Sequence, residues 1–367
     1  MICLSAALLL IILAAGLKPR GFRLDNKVSW IKGQPGIRFN RFGIAYTNPL
    51  DSLIANRKSN PDEFSFEIAM RPVSYHGYRF EFILALHNGD DSDQLIMGQW
   101  RSWLIVMNGD DYAYKGKTNR ISVDASASAP TTWFVTIASG QDGTEIFIDG
   151  KLAAAKKDLK LEIPTGGKTR LVVGNSANGK HPWRGDIYGL ALYRHRLTSR
   201  EIALHFSRWS KDQTFAFATD AGPFALYLFD EMGGPRALDH SGANRNLEIP
   251  SRMQVLEKKI LAGPGNSFNL SRGYIIDVVL NLIGFIPFAF ILCATLIRVG
   301  GAFDKHAVLM TIAFCFSVSL ALEILQAWMP SRSSSMLDLV LNTLGGCIGA
   351  FFYRFFYRAA YRKERAM

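Results

Sequence analysis

Between residues 18 and 273 the chain has no cysteine. This excludes a disulfide-stapled scaffold and a thiolate metal site in that stretch. A domain of about 250 residues without staples must rely on its own core, and that length suffices to bury one. The four cysteines, Cys3, Cys293, Cys315 and Cys347, all lie in apolar runs. They have neither metal-ligand nor CxxC spacing and read as small apolar fillers. Charge is absent from residues 1–17, and 274–353 hold only seven charged side chains. Stretches so poor in charge exclude a wholly soluble protein. The mixed, polar stretch between them excludes a transporter that keeps most of its length in lipid. A phosphate-binding glycine loop, a Ser-His-Asp order and a zinc-ligand spacing are also missing. Basic residues near the C-terminus interleave with aromatics, as in Arg354-Phe-Phe-Tyr-Arg358. They adjoin an apolar run, so they read as an anchor to anionic lipid and not as a nucleic-acid site.

A membrane helix needs about 20 apolar residues. Tyr274–Ile297, Ala307–Met329 and Met336–Tyr353 qualify. Met1–Leu17 stands at the short limit, as an uncleaved anchor or a signal peptide ending in Ala14-Ala15-Gly16. A signal peptide begins with basic residues; none precedes this run, which favours the anchor. Of the net charge of +11, +8 falls in 1–273 and +3 in 274–367. Basic short loops belong in the cytoplasm. Arg354, Arg358, Arg362, Lys363 and Arg365 follow the last apolar run, and Arg298 and Lys305 follow the first of the three. Two helices separate the groups, so they agree. Both termini then lie inside, and the loop Pro330–Ser335 and all of 18–273 face outward. Lys18, Arg20 and Arg23 argue weakly the other way.

The middle of the chain reads as short strands separated by turn signals. Phe64-Ser-Phe-Glu-Ile-Ala-Met70 alternates, and Arg79–His87 and Ser102–Met107 are apolar and aromatic. Trp133–Ala138 leads through Gly140-Gln-Asp-Gly143 to Thr144–Asp149, with a glycine at 150; Arg170–Gly174, Asp186–Tyr193 and Phe224–Phe229 follow. Such spacing predicts an all-β sandwich. One short helix is expected at Ser199–Phe206, capped by Thr198 or Ser199, with Glu201 in its first turn.

Asp142-Gly-Thr-Glu-Ile-Phe-Ile-Asp-Gly150 and Trp183-Arg-Gly-Asp-Ile-Tyr-Gly-Leu-Ala-Leu-Tyr193, followed by Leu197-Thr-Ser-Arg-Glu-Ile202, resemble the laminin G-like, concanavalin A-type jelly-roll domains. Leu226-Tyr-Leu-Phe-Asp-Glu231 with Asp239-His-Ser-Gly242 resembles another block of that family, one that usually stands near the start and here comes late. The resemblance spans about residues 28–250. It implies a jelly roll that binds carbohydrate or protein, sometimes with calcium. Within it, Trp133 and Trp183 read as core. Trp100 and Trp103 bracket a turn, where they are either structural or a sugar-stacking pair. Asp90, Asp91 and Asp93 form either a solvated acidic loop or an oxygen-ligand calcium site. Jelly-roll glucanases place their acids in a Glu-x-Asp-x-x-Glu run, absent here. Glu145 and Asp149 stand about 13 Å apart along a strand, beyond the carboxylate separations of glycosidases. The domain reads as a binding module.

The polar residues of the three C-terminal apolar runs are not scattered. Asp277/Asn281 and Asp338/Asn342 are i,i+4 pairs, and Glu323/Gln326 an i,i+3 pair, so each shares a helix face. All six fall within about 11 Å of the outer end at the helical rise. Intramembrane charges point into the bundle or a watered cavity, so one outward-open polar pocket is expected. Arg332, in the outer loop, is its obvious counter-ion and could clamp a carboxylate or phosphate. The alternative is that these side chains merely glue the bundle.

Asp277-x3-Asn281-x3-Phe285-x-Pro287 resembles the first signature of the VanZ-like membrane family. Glu323-x2-Gln326, Pro330-x-Arg332, Asp338-x3-Asn342-x2-Gly345 and Gly349 resemble its second. Phe288-Ala289 departs from the small residue that many members have after the proline. The family is named for a protein linked to resistance to the glycopeptide teicoplanin. The resemblance covers about residues 270–355 and implies that Met1–Leu17 is the family's first helix, with the jelly roll inserted after it.

The expected architecture is a jelly-roll sandwich plus a transmembrane bundle of about four helices in a bacterial inner membrane. Its parts are an anchor (1–17), a jelly roll (24–250), an amphipathic helix at Met253–Leu261 with a linker (251–273), VanZ-like helices (274–353) and a basic tail (354–367). Expected partners are the lipid bilayer and an envelope glycan or protein, with no nucleic acid and no cofactor beyond calcium in the jelly roll. The alternative function is an intramembrane enzyme acting on a lipid-linked precursor, with Glu323 or Asp338 as acid or base and Arg332 on the phosphate. A third reading is a purely structural scaffold.

Overall fold

The computed structural model describes residues 1–18, 25–50, 63–73, 79–125, 132–165, 168–212, 222–258, 260–263, 272–329, 332 and 334–366. They form two compact units, 23–257 and 1–22 with 258–367.

The first unit is a sandwich of two antiparallel sheets. One sheet runs β1 (Val28–Trp30), β2 (Ile37–Phe39), β13 (Gly185–Tyr193), β4 (Phe64–Pro72), β9 (Trp133–Gly140), β10 (Gly143–Ile148) and β11 (Lys151–Lys156), with β14 (Ala225–Tyr227) also beside β13. The other runs β15 (Arg236–Ala237), β16 (Leu247–Glu248), β3 (Ala45–Thr47), β12 (Arg170–Val173), β5 (Glu81–His87), β6 (Leu95–Trp100), β7 (Trp103–Asn108) and β8 (Arg120–Asp124). The late family-like block therefore belongs to the sandwich, adding β14 to one sheet and β15–β16 to the other. Asp239 organises it, accepting backbone N–H groups of Leu226, Ser241 and Arg245.

Side-chain alternation explains the two faces of the first sheet. Phe66, Ile68, Met70, Trp133, Val135 and Ile137 enter the inter-sheet core with Trp183 and Phe39. Ala69, Phe134 and Ala138, the residues between, meet helix α2 (Ser199–Asp212) through Ile202 and Trp209. The helix runs six residues past the expected end. Its start is a capping box: Thr198 Oγ1 accepts the Glu201 N–H, and Thr198 N–H donates to the Glu201 carboxylate at 2.8 Å. The β10–β11 hairpin turns on Asp149–Gly150, with φ of 51° and 72°, the left-handed pair that a two-residue turn requires.

The alternating polar positions of β4 are not solvated. Glu67, under α2, is fully buried. Its carboxylate accepts Tyr193 O–H (2.9 Å), Thr136 O–H (3.2 Å) and His205 Nδ1 (2.9 Å). Asp186, also fully buried, joins β13 to β2 and β4 through Arg38 and Arg71 at 2.6–2.9 Å. Burial would raise its pKa, but the two guanidinium groups hold it below the ordinary carboxylate range.

The helix expected at Met253–Leu261 does not form. Its described residues take extended and bent conformations: Arg252 bridges Asp25, Met253 is buried, and Leu256 N–H donates to Ala177 O. Tertiary pairing outweighs helical periodicity there. Most of the expected linker, 264–271, lies outside the described residues, as do Arg20 and Arg23.

The second unit is a helical bundle of α1 (Ile2–Leu17), α3 (Arg272–Val299), α4 (Ala302–Ala327) and α5 (Met336–Ala366). Among the described residues, three segments, Tyr274–Val299, Phe303–Ala327 and Met336–Tyr357, are long and apolar enough to cross a membrane. Leu9, Ile12 and Leu13 of α1 pack against Phe285, Phe288 and Leu322. Helix α5 crosses α3 at very short range: a Cβ at Gly345 would fall onto the Leu282 carbonyl, and one at Gly349 onto that of Ile286. The residues expected as a basic tail continue α5 to Ala366, and Arg354 pairs with Asp304 at 2.8 Å. Cys293 and Cys315 are buried fillers, whereas Cys3 is exposed; all four cysteines are free.

Candidate functional sites

The three polar pairs of the apolar helices gather at one end of the bundle, the end where α4 stops and α5 begins. There they are tied to specific partners. Ser335 N–H donates to Glu323 Oε2 at 2.7 Å, and the Ser334 hydroxyl bonds the same carboxylate. Glu323 is only 2% exposed. Asn281 donates to Asp338, linking α3 to α5. Asn342 Nδ2 donates to Ser319 Oγ at 2.9 Å, linking α5 to α4. Gln326 Nε2 donates to Gly16 O (2.9 Å), and Arg332 Nη2 to Ala15 O (2.9 Å) and Lys18 O (3.3 Å). Arg332 thus caps the carbonyls at the end of α1 while its charge remains within range of Glu323 and Asp338. Asp277 is exposed, within electrostatic reach of Asp338. The cluster is a hydrogen-bonded network centred on a buried carboxylate.

In the jelly roll, Trp100 and Trp103 face one another across the β6–β7 hairpin as a direct cross-strand pair. They are 39% and 38% exposed. The two-residue turn between them is held from below. Buried Trp183 Nε1 donates to Gln99 Oε1 (2.8 Å), and Gln99 Nε2 donates to Arg101 O (2.9 Å). Arg101 takes φ 55° and lays its guanidinium 4.9 Å from the Trp100 ring centroid. The result is a rigid tip presenting two indoles.

The acidic loop does not aim its three carboxylates at one point. Asp90 accepts Ser92 N–H and O–H within its own turn, and Asp93 accepts Asn88 Nδ2. Asp91 meets His87 instead: His87 Nε2 lies 3.2 Å from Asp91 Oδ1 and 2.9 Å from Glu257 Oε2. Imidazole and two carboxylates could hold a divalent cation by spacing. Yet Gly89 N–H donates to Nδ1 at 3.1 Å, which leaves the ring proton on Nε2, where a metal would have to bind. The geometry fits an ion-pair latch better than a metal site. A cleft of about 530 Å³ beside the loop is lined by Asp93, Asn108, Asn119, Lys157, Lys160 and Glu162.

Burial alone would lower the His87 pKa, but hydrogen bonds and charge from Asp91 and Glu257 raise it to about 9. With an ordinary value near 6.5 when unfolded, the latch stabilises fully below that pH and is lost as pH rises through about 9. The melting-temperature gap between wild type and His87→Gln is therefore expected to be widest near pH 6 and to shrink by pH 10. A gap that widens with pH would refute the latch.

Sequence reasoning missed Glu67 with His205, His87 with Glu257, and the serines at 319, 334 and 335. Only Glu67 carried a signal, as a carboxylate inside an otherwise apolar strand.

Residues 223–357 match the model of the VanZ/LLP1 family. Residues 52–203 match that of the concanavalin A-like lectin/glucanases superfamily. Both resemblances read from the motifs are borne out, and the chain joins a VanZ-type membrane region to a concanavalin A-like jelly roll. The VanZ/LLP1 match begins at residue 223, just before β14, well upstream of the signature residues. No curated protein matches the chain. Among solved structures, the chain is similar to the binding domain of botulinum neurotoxin DC in complex with rat synaptotagmin II, at 15% identity and TM-score 0.39, over 51% of this chain and 46% of that one. It is also similar to the binding domain of botulinum neurotoxin serotype D/C, at 16% identity and TM-score 0.40, over the same shares. The chain spans less than half the length of these structures.

Proposed function

We propose that this is an envelope protein of the bacterial inner membrane whose jelly roll captures a glycan outside the cytoplasm, while its bundle engages a lipid-linked envelope component. The observation that carries the reading is the Trp100–Trp103 tip. Two half-exposed indoles on a rigid hairpin lose little entropy on binding, and their faces suit the apolar faces of sugar rings. The orientation is supported by charge. Arg298, Lys305 and Arg354 stand at the bundle end opposite Trp328 and Ser335, and the basic end belongs in the cytoplasm. Lys18, at the end of α1, is bonded to Arg332 at the other end of the bundle.

The test is binding of soluble envelope and extracellular polysaccharides to the full chain in lipid nanodiscs, with and without calcium. Saturable binding is expected, with Trp100→Ala and Trp103→Ala each weakening it about tenfold, the loss of one stacking contact. A chain that binds none of the polymers, or binds them equally after both substitutions, would sink the proposal.

A further inference from the structure

Residues 260–262 lie across the turn that holds Glu323. Leu261 N–H donates to Ser334 Oγ (2.9 Å) and Ala262 N–H to Ser334 O (3.1 Å), while Met336 N–H returns to Ala262 O (3.0 Å). Ala262 and Ser335 form a parallel bridge. Beneath it, the same two serines bond the buried Glu323 carboxylate. Strap and carboxylate thus share Ser334, itself fully buried. Lys258 Nζ stands 3.1 Å from the Trp328 ring centroid.

Two features make this contact a device rather than simple packing. Leu261 holds φ at 51°, a left-handed conformation that its Cβ resists and that glycine adopts freely. The closed form therefore stores strain against three hydrogen bonds, the balance expected of a segment that opens. Four residues upstream, Glu257 is tied to the jelly-roll unit, through His87 and through its N–H to Ala177 O. Glu257 is the last residue of that unit, and Lys258 belongs to the other.

We propose that residues 260–262 are a gate over Glu323, closed as described here and opened when the connector is drawn away from the turn. The trigger, capture of a glycan by the jelly roll, rests on the function proposed above; the gate does not.

The experiment uses the full chain in lipid nanodiscs, a water-soluble carbodiimide with an amine nucleophile, and mass spectrometry of the Glu323 peptide. Ala262→Pro removes a donor and disfavours the left-handed Leu261, so Glu323 should label about tenfold faster. Leu261→Gly relieves the strain and should label about fivefold slower. Wild-type labelling in Ala262→Pro, or equal or faster labelling in Leu261→Gly, overturns the gate. Should Ala262→Pro not fold, Leu261→Gly decides alone. A polysaccharide that binds the wild type should accelerate labelling. Binding without acceleration overturns the trigger, whereas absence of binding overturns only the proposed function.

Discussion

Gly349→Leu is expected to yield no folded protein from the membrane. Gly349 and Gly345 lie one turn apart on α5, and at each the space a side chain would need is occupied by a backbone carbonyl of α3. Small residues at this spacing let membrane helices approach closely, and much of the association is van der Waals contact made possible by that approach. Forcing the helices apart removes those contacts along the whole crossing. Even Gly349→Ala is expected to destabilise by on the order of 2 kcal/mol, the usual range for overpacking. Gly284→Ala is the control: nothing lies within 4 Å of its added Cβ, and alanine gains up to about 1 kcal/mol of helix propensity. Yield of monodisperse protein and melting temperature in detergent read the series. A Gly349→Leu protein that melts like wild type would contradict the crossing.

The second large effect is expected at Glu67→Ala, in the jelly roll. The substitution deletes the acceptor for Tyr193, Thr136 and His205, all buried. Each orphaned donor costs about 1–3 kcal/mol, so the domain should lose several kcal/mol and α2 should detach before the sandwich melts. Hydrogen exchange would report this as early loss of protection across 199–212. Glu67→Gln keeps an acceptor oxygen and should lose less. A Glu67→Ala variant with unchanged exchange in α2 would contradict the clamp.

These two sites mark where sequence reading succeeds and where it stops. Gly345 and Gly349 were legible because their spacing recurs with Asp338 and Asn342 in one family signature. The sandwich was legible from strands whose apolar content is unmistakable, such as Trp133–Ala138, and α2 from its capping box. Short strands such as Arg236–Ala237 were not, because two or three residues carry no period and depend on long-range pairing. Glu67 and His205 are 138 residues apart, and no local pattern announces that a strand carboxylate will lie under a helix. The membrane cluster was legible as a set of positions on one end of three helices. Its connectivity was not, because Ser334 and Ser335 look like ordinary loop residues, and Arg332 finds the carbonyls of α1 where a counter-ion role was the simpler expectation. Met253–Leu261 misled by its periodicity: an amphipathic pattern predicts a helix only where no neighbour offers better hydrogen bonds.

The turn that receives Arg332 and Ser334 also fixes both ends of the long excursion out of the bundle. Lys18 O is bonded to Arg332, and Leu261 and Ala262 to Ser334. The chain therefore leaves and returns at one place. Closing a loop adds only about 0.6 kcal/mol for each doubling of its length, so the helices scarcely register how much polypeptide hangs between these two anchor points. Such a junction favours exchange of the carried domain over evolutionary time, and of foreign domains by grafting, provided the residues that dock on the turn are kept.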